Sequence, residues 1–333
     1  MIISSDPVED HLKQTNQDDA ELDAEVEVRY VQASLQSHGV RLDRALADVV
    51  PEFSRSYLQQ LISAGAVRLN GLTVTKSSVK VKAGNALVIE LRPTPQSIAF
   101  KPEALDIDVV FEDEHLLVIN KPAGLVVHPA PGNWTGTLLN GLLARDSQAS
   151  LLPRAGIVHR LDKDTSGLMV VAKTRQTMDQ LVAMIASRTV TRQYLAIAHG
   201  AWQGLKSRQV DLPIGRDPRN RLRMAVVDLR SSAGKLALTD ISLVANAPAH
   251  CLVQCRLHTG RTHQIRVHMS ALGHCLVSDE TYGGKPAGGL ARQGLHACRL
   301  AFPHPQGGQK LGFDSPLPSD MLLALNQLDI IYN

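Results

Sequence analysis

From residue 39 onward the chain alternates short apolar clusters with polar turns, and the spacing inside each cluster predicts its element. Leu42, Leu46 and Val49 recur at helical intervals, and Pro51 ends that helix. Ser54 suits the N-cap of a second helix carrying Tyr57, Leu58, Leu61 and Ile62, which Gly65 stops. AVRLNGLTV reads as a strand, a turn at Asn70–Gly71 and a returning strand, and VKAGNALVIEL adds a further turn and strand. Residues 93–106 hold three prolines and few apolar positions, the pattern of a linker. Beyond it, IDVVFEDEHLLVINKPAGLVVHP predicts two strands around an acidic turn and then a loop. Met178, Leu181, Val182 and Ile185 predict an amphipathic helix, and TRQYLAIAHGAW and CLVQCRLHTG alternate as strands. The plan is α+β: a tail over 1–38, a small α/β module over 39–92, a linker, and a large domain over 107–330 built on a mixed or antiparallel sheet.

One stretch breaks the alternation. In GIVHRLDKDTSGLMVVAKT (residues 156–174) two apolar runs that read as strands enclose His159, Arg160, Asp162, Lys163 and Asp164. A loop held by a rigid sheet is a common place for function. Asp164 suits an Asx-turn in D-T-S-G, whereas Asp162 lies between Leu161 and Lys163, away from the turn's glycine. Pattern alone leaves both aspartates open.

Charge adds a second reading. The net charge of +3 hides an acidic tail: residues 1–30 hold nine acids against two Lys/Arg, which leaves about +10 for the rest. The tail reads as disordered and the body as suited to a polyanion. Hydrophobic content of 44% and charged content of 20% are ordinary for a globular chain. No apolar run is long enough to span a bilayer, and no secretory signal opens the chain, so the expectation is a cytoplasmic protein without membrane contact. Cys251, Cys255, Cys275 and Cys298 form no CxxC pair and read as buried free thiols, with no metal site.

Two more constellations carry candidate chemistry. In GRTHQIRVHMSALG, Gly260 permits a sharp turn, Thr262 suits an N-cap, and Ile265, Met269 and Leu272 face the core. Arg261, His263 and Arg266 then cluster at a helix start, a ready anion site for a phosphate or for Asp162. His263 and His268 share no helical face, which argues against a metal pair. PIGRDPRNRLRMAV holds Arg216, Arg219, Arg221 and Arg223 in eight residues, which suits either a solvated loop or a grip on phosphates. Tyr194 lies on an alternating strand, where it can be core or functional.

The small module resembles the S4-like RNA-binding domain through R-L-D near its start, S-R at the second helix, L-I-x-x-G, V-x-x-N-G and K-x-S. That resemblance implies RNA contacts from Arg44, Ser54, Arg55 and Lys76. The large domain resembles the RluA-type family of RNA pseudouridine synthases. The motifs INKPAGLVVHP, HRLD, RQYLAIAHG, TGRTHQIRVHMSALGH, DETYGG and LHACRLAFPHP stand in the family's order over residues 39–320. With the S4-like module, PIGRDPRNRLRMAV and FDSPLP, the likeness is nearest the branch that modifies the helix 69 loop of 23S large-subunit ribosomal RNA. It implies an isomerase that breaks the C1′–N1 bond of a uridine and rejoins the uracil through C5, with base flipping, no cofactor, and RNA as partner of a monomer, either free or in an assembling subunit.

By the same resemblance Asp162 is the catalytic carboxylate, as nucleophile or base. Arg266 pairs with it, Tyr194 lies against the target base, and Arg160 enters the RNA stack. Ser278 stands where the family has glycine before Asp279, so a local loop difference without loss of activity is expected. Competing readings are a family member acting on tRNA or another rRNA site, a nucleoside hydrolase or RNA glycosylase that uses the same carboxylate and releases uracil, and a non-enzymatic RNA-binding or assembly factor built on an inactive synthase.

Overall fold

The computed structural model describes residues 27–332 except 52, 54, 93–98, 131, 221 and 222, and the chain divides into two units, Met1–Ser97 and Ile98–Asn333. Ser54 and Arg221 lie outside the described residues, as do residues 1–26 of the expected tail.

In the first unit β1 (Glu27–Gln32) precedes helices α1 (Leu42–Val49) and α2 (Arg55–Ser63) and strands β2 (Val67–Leu69), β3 (Leu72–Thr73) and β4 (Ala86–Leu91). The antiparallel sheet has the order β1-β4-β2-β3. Asn70 (φ 51°) and Gly71 (φ 81°) both take left-handed conformations, which is what a two-residue hairpin of matching twist requires. Leu42, Leu46, Leu58, Leu61, Ile62 and Ile89 are fully buried between helices and sheet. The module begins earlier than expected. β1 pairs with β4 along its whole length, from Glu27 opposite Leu91 to Gln32 opposite Ala86. It covers a sheet edge through backbone bonds, and its side chains are exposed or half-buried in alternation, so its hydrophobic pattern is faint.

The second unit also begins earlier than expected. Ala99 is buried, and Asn140 Nδ2 donates to the carbonyls of Ala99 (3.0 Å) and Lys101 (2.8 Å), so residues 99–101 are fastened to the domain. Its strands and helices are β5 (Val109–Glu112), β6 (Leu116–Lys121), α3 (Leu138–Arg145), β7 (Ser166–Ala172), α4 (Arg175–Ala186), β8 (Thr191–His199) and β9 (Ser207–Asp211). Then come β10 (Ile214–Arg216), β11 (Met224–Val226), β12 (Gly234–Lys235), β13 (Leu238–Asn246), β14 (His250–Leu257), α5 (Gln264–Ala271), β15 (Leu295–Pro303), β16 (Lys310–Asp314) and α6 (Ser319–Gln327). Nine strands form one sheet, β5-β6-β7-β15-β8-β14-β13-β9 with β16 against β15, and β10–β12 make a small second sheet.

Only β7 and β15 run parallel, so the sheet is mixed. Their close register needs Gly167, where a Cβ would stand 2.3 Å from the Ala297 carbonyl oxygen. β6 and β7 are apolar at successive positions because both faces are covered: Leu117, Ile119, Met169 and Val171 enter one core, and Leu116, Val118, Leu168 and Val170 enter another. Two expectations change here. Residues 156–158 are not a strand, since Pro153–Gly156 form a 3-10 turn and only Ile157 bridges to Val171. In α4 Leu181 is buried but Val182 is 47% exposed. All four cysteines are free thiols, three of them buried. Among the described residues no helix is long and apolar enough to cross a membrane.

Candidate active site

The loop before β7 is held from several directions. Thr165 N donates to Asp162 O (3.1 Å), closing a turn over Lys163 and Asp164 two residues earlier than the expected 164–167 turn. Lys121, at the end of β6 and 1% exposed, donates from Nζ to the carbonyls of Pro122 (2.7 Å), Leu125 (2.9 Å) and Lys163 (2.9 Å). Burial pulls its ammonium down to about 8, against the opposing charge of Asp164. Gly124 N also donates to Lys163 O (2.9 Å), and Arg292 Nη1 donates to Asp164 O (3.0 Å). The backbone on the carboxyl side of Asp162 is thereby fixed, while its carboxylate keeps 17% exposure.

α5 brings the cation. Arg266 Nη1 donates to Asp162 Oδ2 at 3.1 Å, and its Nε and Nη2 make a bidentate pair with Asp279 at 2.7 and 2.8 Å. Burial alone would lower the Arg266 pKa, but the hydrogen bonds and charges of Asp279 and Asp162 outweigh it and raise it above its ordinary value. The Tyr282 ring lies beneath the guanidinium, 5.0 Å from its central carbon, and the Tyr282 hydroxyl shares a 2.8 Å hydrogen bond with His263 Nδ1. His263 Nε2 is 3.9 Å from Asp162 Oδ1, and burial lowers its pKa, partly offset by Asp162.

The N-cap of α5 is His263, in a left-handed conformation (φ 56°) with no side-chain cap bond, rather than Thr262. Gln264 anchors the helix instead: it is buried, donates to Leu238 O and Thr239 Oγ1, and accepts from Arg261 N and Thr259 Oγ1. His268 is structural, bonded to Thr239 Oγ1 and Leu212 O. Ser278 holds a left-handed φ of 59° and donates from Oγ to Leu290 O (2.7 Å), which is how the loop accommodates a residue other than glycine.

Asp162 and Arg160 line three cavities, two of them of about 980 and 430 Å³. His263 and Arg266 line the larger of these two, Tyr194 and Arg261 line the smaller, and all four line the third beside Asp162. Tyr194 is 6% exposed and burial pushes its phenol up to about 12, so it is neutral at pH 7. Arg160 is exposed. The arginine-rich stretch divides. Arg223 pairs with the buried carboxylate of Asp217 (2.6 Å) and lines the larger cavity, whereas Arg216 and Arg219 are exposed and line neither. In the first unit Arg44, Arg55 and Lys76 are all exposed. Arg55 also donates to Asp43, so it has a structural partner.

Similarity to known proteins bears on what this constellation does. The profile of the RNA pseudouridylate synthase family matches residues 115–271, and that of the S4 domain matches residues 40–87. A Neisseria meningitidis serogroup B protein named ribosomal large subunit pseudouridine synthase D is 46% identical over 307 residues, covering 88% of this chain and 80% of that protein. The chain belongs to the RNA pseudouridylate synthase family. A Nitrosomonas europaea synthase of the same name is 45% identical across 87% of the chain and 85% of its own length. A Bacillus subtilis protein named an uncharacterized RNA pseudouridine synthase is 40% identical across 90% and 97%. The structure of human RNA pseudouridylate synthase domain containing 4 covers 68% of this chain and 94% of its own, with a TM-score of 0.53 and 25% identity.

The synthase is therefore an isomerase of uridine in RNA, with an S4 domain as RNA-binding module. Sequence reasoning brought Asp162, Arg266, Tyr194, His263 and Arg160 to one place. It missed Asp279 and Tyr282, whose signal was the DETYGG motif, and Lys121, whose signal was a lysine two residues after the apolar run Leu116–Ile119 in the same strand.

Proposed function

We propose that this synthase converts uridine to pseudouridine in 23S large-subunit ribosomal RNA, in the helix 69 loop, as a cytoplasmic monomer acting on free RNA or an assembling subunit. The observation that carries the catalytic reading is the Asp162 carboxylate, bonded to Arg266 and lining a cavity shared with Tyr194 and His263. The relatives named as large-subunit synthases support the choice of RNA.

The target uridine leaves its stack, at a cost of a few kcal/mol that basic contacts to the RNA backbone offset. Arg160, Arg261 and His263 are the groups for this in the second unit, and Arg44, Arg55 and Lys76 in the first. Asp162 then attacks C1′ or removes a ribose proton, and the C1′–N1 bond breaks with its electron pair on N1. The uracil turns and C5 bonds to C1′, as the Asp162–C1′ ester bond breaks and returns its electron pair to the carboxylate in the first route, or as Asp162 gives the ribose its proton back in the second; the C5 proton is then lost and N1 gains one. Atoms and electrons balance with no cofactor. Arg266 orients the carboxylate. Tyr194, as a neutral phenol, packs against the base and passes the C5 proton by accepting on oxygen while giving up its own hydrogen.

The test is in vitro modification of 23S rRNA and tRNA, mapped by carbodiimide primer extension, with wild type and Asp162→Asn. Wild type is expected to mark the helix 69 loop, and the variant to lose roughly 10⁴-fold or more in rate. Retained activity in Asp162→Asn overturns the catalytic assignment. Release of free uracil, or modification of tRNA alone, overturns the reaction or the substrate.

A further inference from the structure

Among the described residues two buried polar side-chain atoms have no hydrogen-bond partner, Arg192 Nε and His128 Nε2, and both side chains line the 430 Å³ cavity beside Asp162. Arg192 is on β8 two positions before Tyr194, so both side chains leave the same face of the strand. It is 5% exposed. A buried guanidinium without a counter-charge costs several kcal/mol, so the position is costly unless an anion reaches it. Arg154, Arg160, Arg188 and Arg261 line the same cavity, and its one carboxylate is Asp162.

Gly260 supports the same conclusion. It holds no positive φ, so the sharp turn expected of it is not its role. A Cβ there would stand 2.8 Å from Arg192 Nη1, so the glycine makes room for the guanidinium. Burial, reinforced by Arg154 and Arg160, lowers His128 to about 4, which leaves a neutral ring able to donate one hydrogen bond.

We propose that Arg192 and His128 form a subsite for one phosphodiester of the RNA backbone adjoining the flipped uridine. The subsite rests on the uridine-flipping reading above. A phosphodiester suits it better than the uracil ring because the anion must be permanent. Five guanidiniums face the cavity whether or not reaction is under way, and uracil carries charge only after its bond to C1′ has broken.

The experiment uses the full chain and a 23S fragment carrying the helix 69 loop, with each phosphate flanking the target replaced in turn by a neutral methylphosphonate. Binding is measured at equilibrium, apart from turnover. Arg192→Gln is expected to raise Kd roughly 10- to 100-fold, the effect of losing a charged hydrogen bond. It should also make the salt dependence shallower by about 0.7 in log–log slope, lower kcat at saturating RNA by a smaller factor than it raises Kd, and be largely restored by Arg192→Lys. One methylphosphonate should weaken wild type by the same factor and cost Arg192→Gln nothing more. A drop in kcat at unchanged Kd would assign Arg192 to charge on the departing uracil and overturn the subsite. If Arg192→Gln fails to fold, the wild-type scan decides, because unchanged Kd at every flanking position overturns it too. If wild type binds the fragment but makes no pseudouridine, the substrate reading fails while the binding comparison still judges Arg192.

Discussion

Arg266 makes three of its hydrogen bonds to two carboxylates, and only one of them is the proposed catalytic group. The bidentate bond to Asp279 fixes the guanidinium plane, and that plane aims Nη1 at Asp162. Asp279 is 1% exposed in its side chain, so removing its charge leaves a buried cation with one partner instead of two. Asp279→Asn should cost roughly 3 kcal/mol of stability in denaturant melts, the scale of breaking a buried pair. As a positioning residue it should lower kcat in single-turnover assays with KM little changed. A lower KM instead would mean that the pair strains the bound substrate. Arg266→Lys should lose more activity, because an ammonium cannot supply a planar fork to two acids. The charge cluster between apolar runs was legible in the sequence, but pattern alone left Asp162 and Asp164 both open and only the resemblance chose Asp162. The cationic helix start holding Arg266 was legible as an anion site for a phosphate or Asp162, but the two lie 104 residues apart, so only the fold or a resemblance brings them together, and Asp279 as the second acid was missed.

At the scale of elements, α1 and α2 are tied by a single buried acid. Asp43 accepts hydrogen bonds from Arg41, Arg55 and Gln59. Burial would raise its pKa, but those bonds outweigh it and hold the carboxyl well below the usual range. A depressed pKa stabilises the folded state above the unfolded value, about 4, and that contribution is lost as pH falls below it. Arg41 and Arg55 are about half exposed, so the contribution is discounted for solvent screening. Asp43→Asn should destabilise the module by about 1–2 kcal/mol at pH 7. Its difference from wild type should shrink as pH falls from 5 towards 2, read by pH-dependent thermal melts, and a constant difference would show that the carboxylate's charge is not what matters. Helical and hairpin spacing made α1, α2, α4 and the β2–β3 turn readable. β1 was not, because it contributes mainly backbone bonds to a sheet edge. Residues 99–101 were not, because their anchor, Asn140, lies in a distant helix.

For the whole molecule, every group placed at the proposed reaction centre belongs to the unit from Ile98 onward, and the S4 domain belongs to the other. Chemistry and anchoring are thus separable by truncation. Arg44 and Lys76 are exposed and have no ion pair among the described residues. Deleting residues 1–97 should weaken binding to a 23S fragment by about tenfold or more, the loss of at least one charged hydrogen bond. For every phosphate that the truncated chain no longer neutralises, the salt dependence should flatten by about 0.7–0.9 in slope. The truncated chain should still form pseudouridine at high RNA concentration, with more sites modified, because the second unit retains Asp162, Tyr194 and Arg266 but loses the anchor that selects a position. Filter binding across a salt series, with pseudouridine mapping of the same samples, separates these effects. Unchanged affinity, slope and site choice would mean that the S4 domain is not the RNA anchor. Complete loss of activity at saturating RNA, with the unit still folded, would mean that the reaction centre needs the first ninety-seven residues.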